Sequence, residues 1–205
     1  MTAGRARQLA LAGIVGPAVF GAAALIGGFV ESNYSPVRNY VSQLAATGSD
    51  WRGVMTFGFF ALGIGTLVFA AALRTLRPAA AVLALVIALS GAGTLMAGSF
   101  GCDPGCPTKG DTTTHQDLHN VSSVVTFSAW IVAPFIAAWQ LRRTKFARVS
   151  LAIGVFLLVF GAVLGAHADP NPDDSVGLLQ RVELLGVGLW FVLFALDLRR
   201  ASVAS

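Results

Sequence analysis

The feature that most constrains this chain is a set of six long apolar blocks, at about 9–30, 54–73, 79–100, 118–141, 149–166 and 177–198, separated by short polar segments. A helix that crosses a bilayer needs about 20 apolar residues, and each block supplies close to that number. Backbone groups inside lipid must be satisfied within their own segment, so each block is expected to be a helix. A transmembrane β-barrel would alternate apolar and polar residues, and these blocks do not. The expected fold class is therefore all-α: a single bundle, 1–205, of six transmembrane helices. Composition agrees. The 205 residues are 55% hydrophobic and 12% charged, whereas a soluble domain carries about twice that charge. The first block, preceded by Arg5 and Arg7, has one alternative, a cleaved signal peptide. It is long for that role and lacks a clear cleavage site, so it is expected to be retained.

The charges sort by side. Arg5, Arg7, Arg74, Arg77, Arg142, Arg143, Lys145, Arg148, Arg199 and Arg200 fall on one side, with Asp197 as the one acid. Glu31, Asp50, Asp103, Asp111, Asp117, Asp169, Asp173, Asp174 and Glu183 fall on the other, with Arg38, Arg52, Lys109 and Arg181. Basic loops stay in the cytoplasm, so both termini are expected there. The protein is then a multi-pass cell-membrane protein with its His and Cys residues extracytoplasmic. Its net charge of +4 follows from this asymmetry and implies no nucleic acid partner. Twelve of the 14 basic residues are Arg, a composition that suggests a GC-rich, bacterial genome.

Several features gather on the expected outer side. Ser35-Pro36 followed by Val37, Tyr40, Val41 and Leu44 pairs a helix start with an i, i+3, i+4, i+7 apolar face. A short helix lying on the membrane or lidding the bundle is expected there, with a plain connector as the alternative. Cys102 and Cys106 bracket Asp-Pro-Gly. An oxidising compartment and a tight turn favour a disulfide over a metal-ligand pair. His115 and His119 are one helical turn apart, a spacing at which two imidazoles can share a metal. The same face continues inward through Ser122, Thr126 and Trp130, and such a stripe is expected to face the bundle interior or a wet cavity.

His167, beside Asp169, offers a third ligand or an acid–base group. Arg181 and Glu183 stand about one turn inside the last block. Charges at that depth need partners, and Asp103, Asp169 and His119 are the candidates. Glycines recur in the blocks: 58, 63, 65, 91, 93, 98, 154, 161, 165, 186 and 188. They are expected to let helix backbones approach closely.

Three segments together, in order, resemble a known family. They are Tyr34-Ser35-Pro36 leading to Val41-Ser42-Gln43-Leu44; Phe100-Gly-Cys-Asp103-Pro-Gly-Cys-Pro107 with Leu118-His119-Asn120; and Gly177-Leu-Leu-Gln180-Arg181-Val182. The chain resembles the bacterial membrane family catalogued as domain of unknown function 998, over nearly its whole length. The resemblance implies a multi-span protein with recurring polar positions at Ser42, Asp103, His119, Gln180 and Arg181. It implies no activity.

Two functional readings follow. One is an outward-facing membrane enzyme acting by acid–base chemistry on a lipid-like substrate. Its candidate residues are His119, His167, Asp103, Asp169, Arg181 and Glu183. The cofactor, if any, is a divalent metal such as zinc, with His115, His119 and His167 as candidate ligands. The other is a non-catalytic module that binds lipid, senses a signal or scaffolds a partner. A transporter ranks third, because transport sites lie near mid-membrane on broken spans. Enzyme and module differ in whether the His and carboxylate side chains converge on a cavity of binding size.

Overall fold

The computed structural model describes residues 1–167 and 175–200. Its helices are α1 (Ala3–Leu9), α2 (Ala12–Val30), α3 (Arg52–Leu76), α4 (Ala81–Ser99), α5 (Thr114–Gln140), α6 (Phe146–Ala166) and α7 (Val176–Arg200), with no strand among the described residues. Six stretches are long and apolar enough to cross a membrane, α1 and α2 together forming the first. Each predicted block coincides with one of them, two blocks running one residue past the span's end. Short turns at 77–80 and 141–145 connect spans at the end that also carries both termini. This is the basic end. The opposite end carries the longer connections and is the capped end.

The spans pack in chain order, and α7 closes the ring against α2. Helices in lipid associate by close fit rather than by escape from water, and small residues allow it here. A Cβ on Gly65 would meet Gly16 Cα at 3.1 Å, and one on Gly63 would meet Gly91 O at 2.9 Å. The packing role expected of the glycines fails at Gly165, where a Cβ would meet nothing within 4 Å.

Aromatic side chains fill the basic half of the ring. Phe69 on α3 meets Phe191 and Phe194 on α7 edge-on, at 5.6 and 5.4 Å, and Phe146 stacks on Phe194 at 4.6 Å. Pro134 removes an N–H from α5, and its own carbonyl is used by a neighbour. Ser150 Oγ on α6 donates to Pro134 O at 3.0 Å and accepts from Trp190 Nε1 on α7 at 2.7 Å. This chain pins α5, α6 and α7 together at that level.

The capped end is covered by segment 34–46, the 102–113 loop and the first turns of α7. The helix expected over the Ser35-Pro36 segment is absent. A 3-10 turn, Val41–Ala45, takes its place, with Val41 and Leu44 buried. The reason is competition for backbone groups. A continuous α-helix would pair Val41 N with Val37 O. Instead Val37 O accepts from Leu178 N at 2.9 Å, and Val41 N donates to Gln180 Oε1 at 2.6 Å. Contacts with α7 outbid the local helix, so the segment serves as a lid. Cys102 and Cys106 stand at disulfide distance, with Cα atoms 5.1 Å apart, and pack with Tyr40, Ala46 and Val176 beneath that lid.

Candidate functional site

Inside the capped half lies a cavity of about 400 Å³, bordered by all six spans and roofed by Val41 and Ser42. Its walls are mostly apolar. Thr94 of α4 and Ser42 of the roof are polar, and α5 and α7 supply the larger polar groups: the stripe expected on α5 lies within the bundle, and His119, Thr126 and Trp130 line the cavity. Glu183 of α7 lines it as well and is fully buried. Among the described residues neither Glu183 carboxylate oxygen has a hydrogen-bond partner, and neither does Thr126 Oγ1 or Trp130 Nε1. Leaving a buried polar group unpartnered is costly. Four such atoms on three side chains around one cavity mark it as more than a packing gap.

The shape of α6 opens this cavity. Gly154 rests on Pro134 and Phe135, at 3.2 Å from each for a built Cβ, and Gly161 rests on Ile131. Beyond Leu157, α6 has no buried residue. Exposed Val124 on α5 and exposed Gly165 on α6 flank the mouth, which therefore faces the lipid between those helices. The Glu183 carboxyl reaches toward α6, with Oε1 3.0 Å from where a Gly161 Cβ would stand. Gly161 was expected to pack helices; it also makes room for this carboxyl.

The other expected site residues are placed differently. His119 is buried, and its Nδ1 lies 3.0 Å from Ala97 O and 2.9 Å from Phe100 O, at the end of α4. Both partners are acceptors, so Nδ1 carries the hydrogen. His115 is exposed and edge-on to Phe100. His167 is exposed at the end of α6, and its Nδ1 turns back to Val163 O at 2.8 Å. Of the expected His115, His119 and His167 ligand set, His119 alone lines the cavity, and no group of three His, Cys, Asp or Glu able to hold a metal ion occurs among the described residues.

Asp103 is likewise no cavity residue. Its carboxylate accepts from Thr113 N and Thr113 Oγ1, at 3.0 and 2.8 Å, and so holds the start of α5. Asp169 lies outside the described residues. Arg181 was expected to meet a carboxylate or His119. It donates instead to the carbonyls of Pro36, Asn39 and Gly177, at 2.7, 3.1 and 3.1 Å, and to the Tyr34 hydroxyl. Tyr34 entered the sequence reading only as part of a resembling segment, with no role given to it. Burial pushes its hydroxyl above the ordinary tyrosine value, against the opposing effect of Arg181. The hydroxyl therefore keeps its proton and donates it to Tyr40 O at 3.0 Å.

The five polar positions marked by the family resemblance sit at joints of the cap. Ser42 Oγ reaches Cys106 Sγ at 3.5 Å. Asp103 holds the start of α5, His119 the end of α4, and Gln180 and Arg181 the lid. Cap and cavity are thus one construction, in which the joints hold the roof and Glu183, Thr126 and Trp130 occupy the space below.

Six apolar spans in a closed ring define a multi-pass integral membrane protein. Within that class, the chain belongs to the family described as Protein of unknown function (DUF998), whose profile matches residues 14–197. No curated protein and no solved structure matches the chain.

Proposed function

We propose that the protein binds a lipid-like molecule inside its ring of helices. The polar end of the molecule lies against Glu183, Thr126 and Trp130, and its chain runs out between α5 and α6 into the bilayer. The observation that carries this reading is the set of unpartnered buried polar atoms around one apolar-walled cavity. The volume, about 400 Å³, falls within the range of small-molecule sites, roughly 300–1,000 Å³. A bulky side chain at the mouth tests it. Gly165→Trp has free space at its Cβ, so the variant should fold and melt like the wild type. Native mass spectrometry from mild detergent should find an apolar adduct on the wild type that the variant lacks. Identical adducts on both, or none on either, would remove the reading.

One observation favours a catalytic use of the same site: Glu183 and His119 line it together. With Nδ1 protonated, a neutral His119 ring keeps Nε2 as an acceptor. A carboxyl group and an imidazole around one ligand suit proton transfer. In this reading Asp103 and Arg181 position the cap and take no part in the chemistry.

The orientation belongs to the same proposal. The basic end faces the cytoplasm, as the loop charges require, and the cap faces outward, so ligand enters from the outer leaflet. Reporters active only in the cytoplasm, fused after Ser205 or inserted near Lys145, should both be active. An inactive pair would invert the protein and the leaflet.

A further inference from the structure

We infer that the polar end of the bound molecule is a protonated amine. The inference rests on the cavity being a lipid-like binding site and adds the chemical class of the head group.

Charge comes first. Among the described residues lining the cavity, Glu183 is the one Asp, Glu, Lys or Arg. Its two oxygens have no hydrogen-bond partner among the described residues, and a carboxylate in that place would take its hydrogens and its compensating charge from a ligand. An anionic head group would be repelled. A neutral hydroxyl would give one hydrogen bond and leave the charge uncompensated in an apolar surrounding, where that is most costly. An ammonium group brings three N–H donors and a positive charge. Its hydrogens can go to the Glu183 oxygens, which lack partners among the described residues.

The walls agree with the charge. Phe20, Phe59, Phe127 and Trp130 line the same space, and the faces of aromatic rings attract cations. Trp130 Nε1 is a donor and cannot serve the ammonium. It is left for an acceptor, such as a hydroxyl oxygen, elsewhere on the same molecule. On the open side, exposed Val124 and Gly165 suit an alkyl chain leaving toward lipid. The ligand class is thus an alkyl amine whose chain remains in the membrane.

The probes are 11-bromoundecylamine and 11-bromoundecanol, which share a chain and differ in the head group. Each is titrated into the full-length protein in non-ionic detergent. Bromine quenching of tryptophan fluorescence is read, with Trp130→Phe identifying the signal from the cavity. Both probes should quench saturably, with the amine at least tenfold tighter, and Glu183→Gln, of matching melting temperature, should bring the two together. Equal affinities in the wild type would overturn the amine inference and leave the lipid-like site standing. An amine preference that survives Glu183→Gln would also overturn it, because the carboxylate would then not be its source. If neither probe quenches Trp130 saturably, the lipid-like site itself falls, and the inference with it.

Discussion

Gly177→Val is expected to be the most damaging single substitution at the capped end, costing about 3 kcal/mol through forced displacement of packed backbone. A Cβ at Gly177 would overlap Asn39 O, and would lie 2.8 Å from both Asn39 N and Pro36 O. All three are backbone atoms, so no side chain can swing away to make room. The same contact brings Leu178 N to Val37 O and Arg181 to the carbonyls of Pro36 and Asn39. Arg181→Ala removes the donor from those carbonyls without adding bulk, and about 2–3 kcal/mol is expected from the loss of charge-assisted hydrogen bonds. The two changes act on one joint, so the double variant should lose less than the sum. Arg143→Ala, in the exposed turn at the basic end, should cost under about 0.5 kcal/mol. Unfolding in mild detergent measures all four. A Gly177→Val protein as stable as the wild type would mean that the lid is not seated on α7.

Glu183→Met is expected to move stability the other way, upward by about 2 kcal/mol, the order of the cost of an unpaired buried polar group. Glu183 is fully buried with both oxygens unpartnered, and methionine has similar volume and a flexible, apolar chain. The same variant should lose the amine preference. Gain of stability with loss of ligand is the signature of a group kept for function. The sign is what matters. If Glu183→Met is clearly less stable than the wild type, the carboxyl is part of the structural framework and the cavity loses its main functional argument.

Much of the fold was legible because a bilayer allows so few solutions. The six apolar blocks had to be helices, and each coincides with an observed span to within a residue at its end. The close approach of Cys102 to Cys106 was also legible, since a four-residue separation makes it a local matter. The stripe through Thr126 and Trp130 was visible as polar residues at helical spacing. The 34–46 segment was misread. Its apolar period predicted a helix, but Gln180 and Leu178, more than 130 positions away, take the backbone groups that helix would have used. Among the described residues the partners of Arg181 are carbonyls and a tyrosine hydroxyl, and carbonyl groups leave no mark in a sequence.

By itself the sequence determined the number of spans, their helical nature and the separation of basic from acidic loops. Each follows from the cost of placing backbone or charge in hydrocarbon. Only the tertiary structure decided which polar side chains share a cavity. In a lipid-soluble helix the outward and inward faces are both apolar, so periodicity cannot say how the helix is turned. Leu185 is 74% exposed while Glu183, two residues earlier, is fully buried. Nothing in their immediate sequence separates those fates. The ring order and the rotation of α7 within it do, and they set Glu183 beside Gly161 and under the same roof as Thr126 and Trp130.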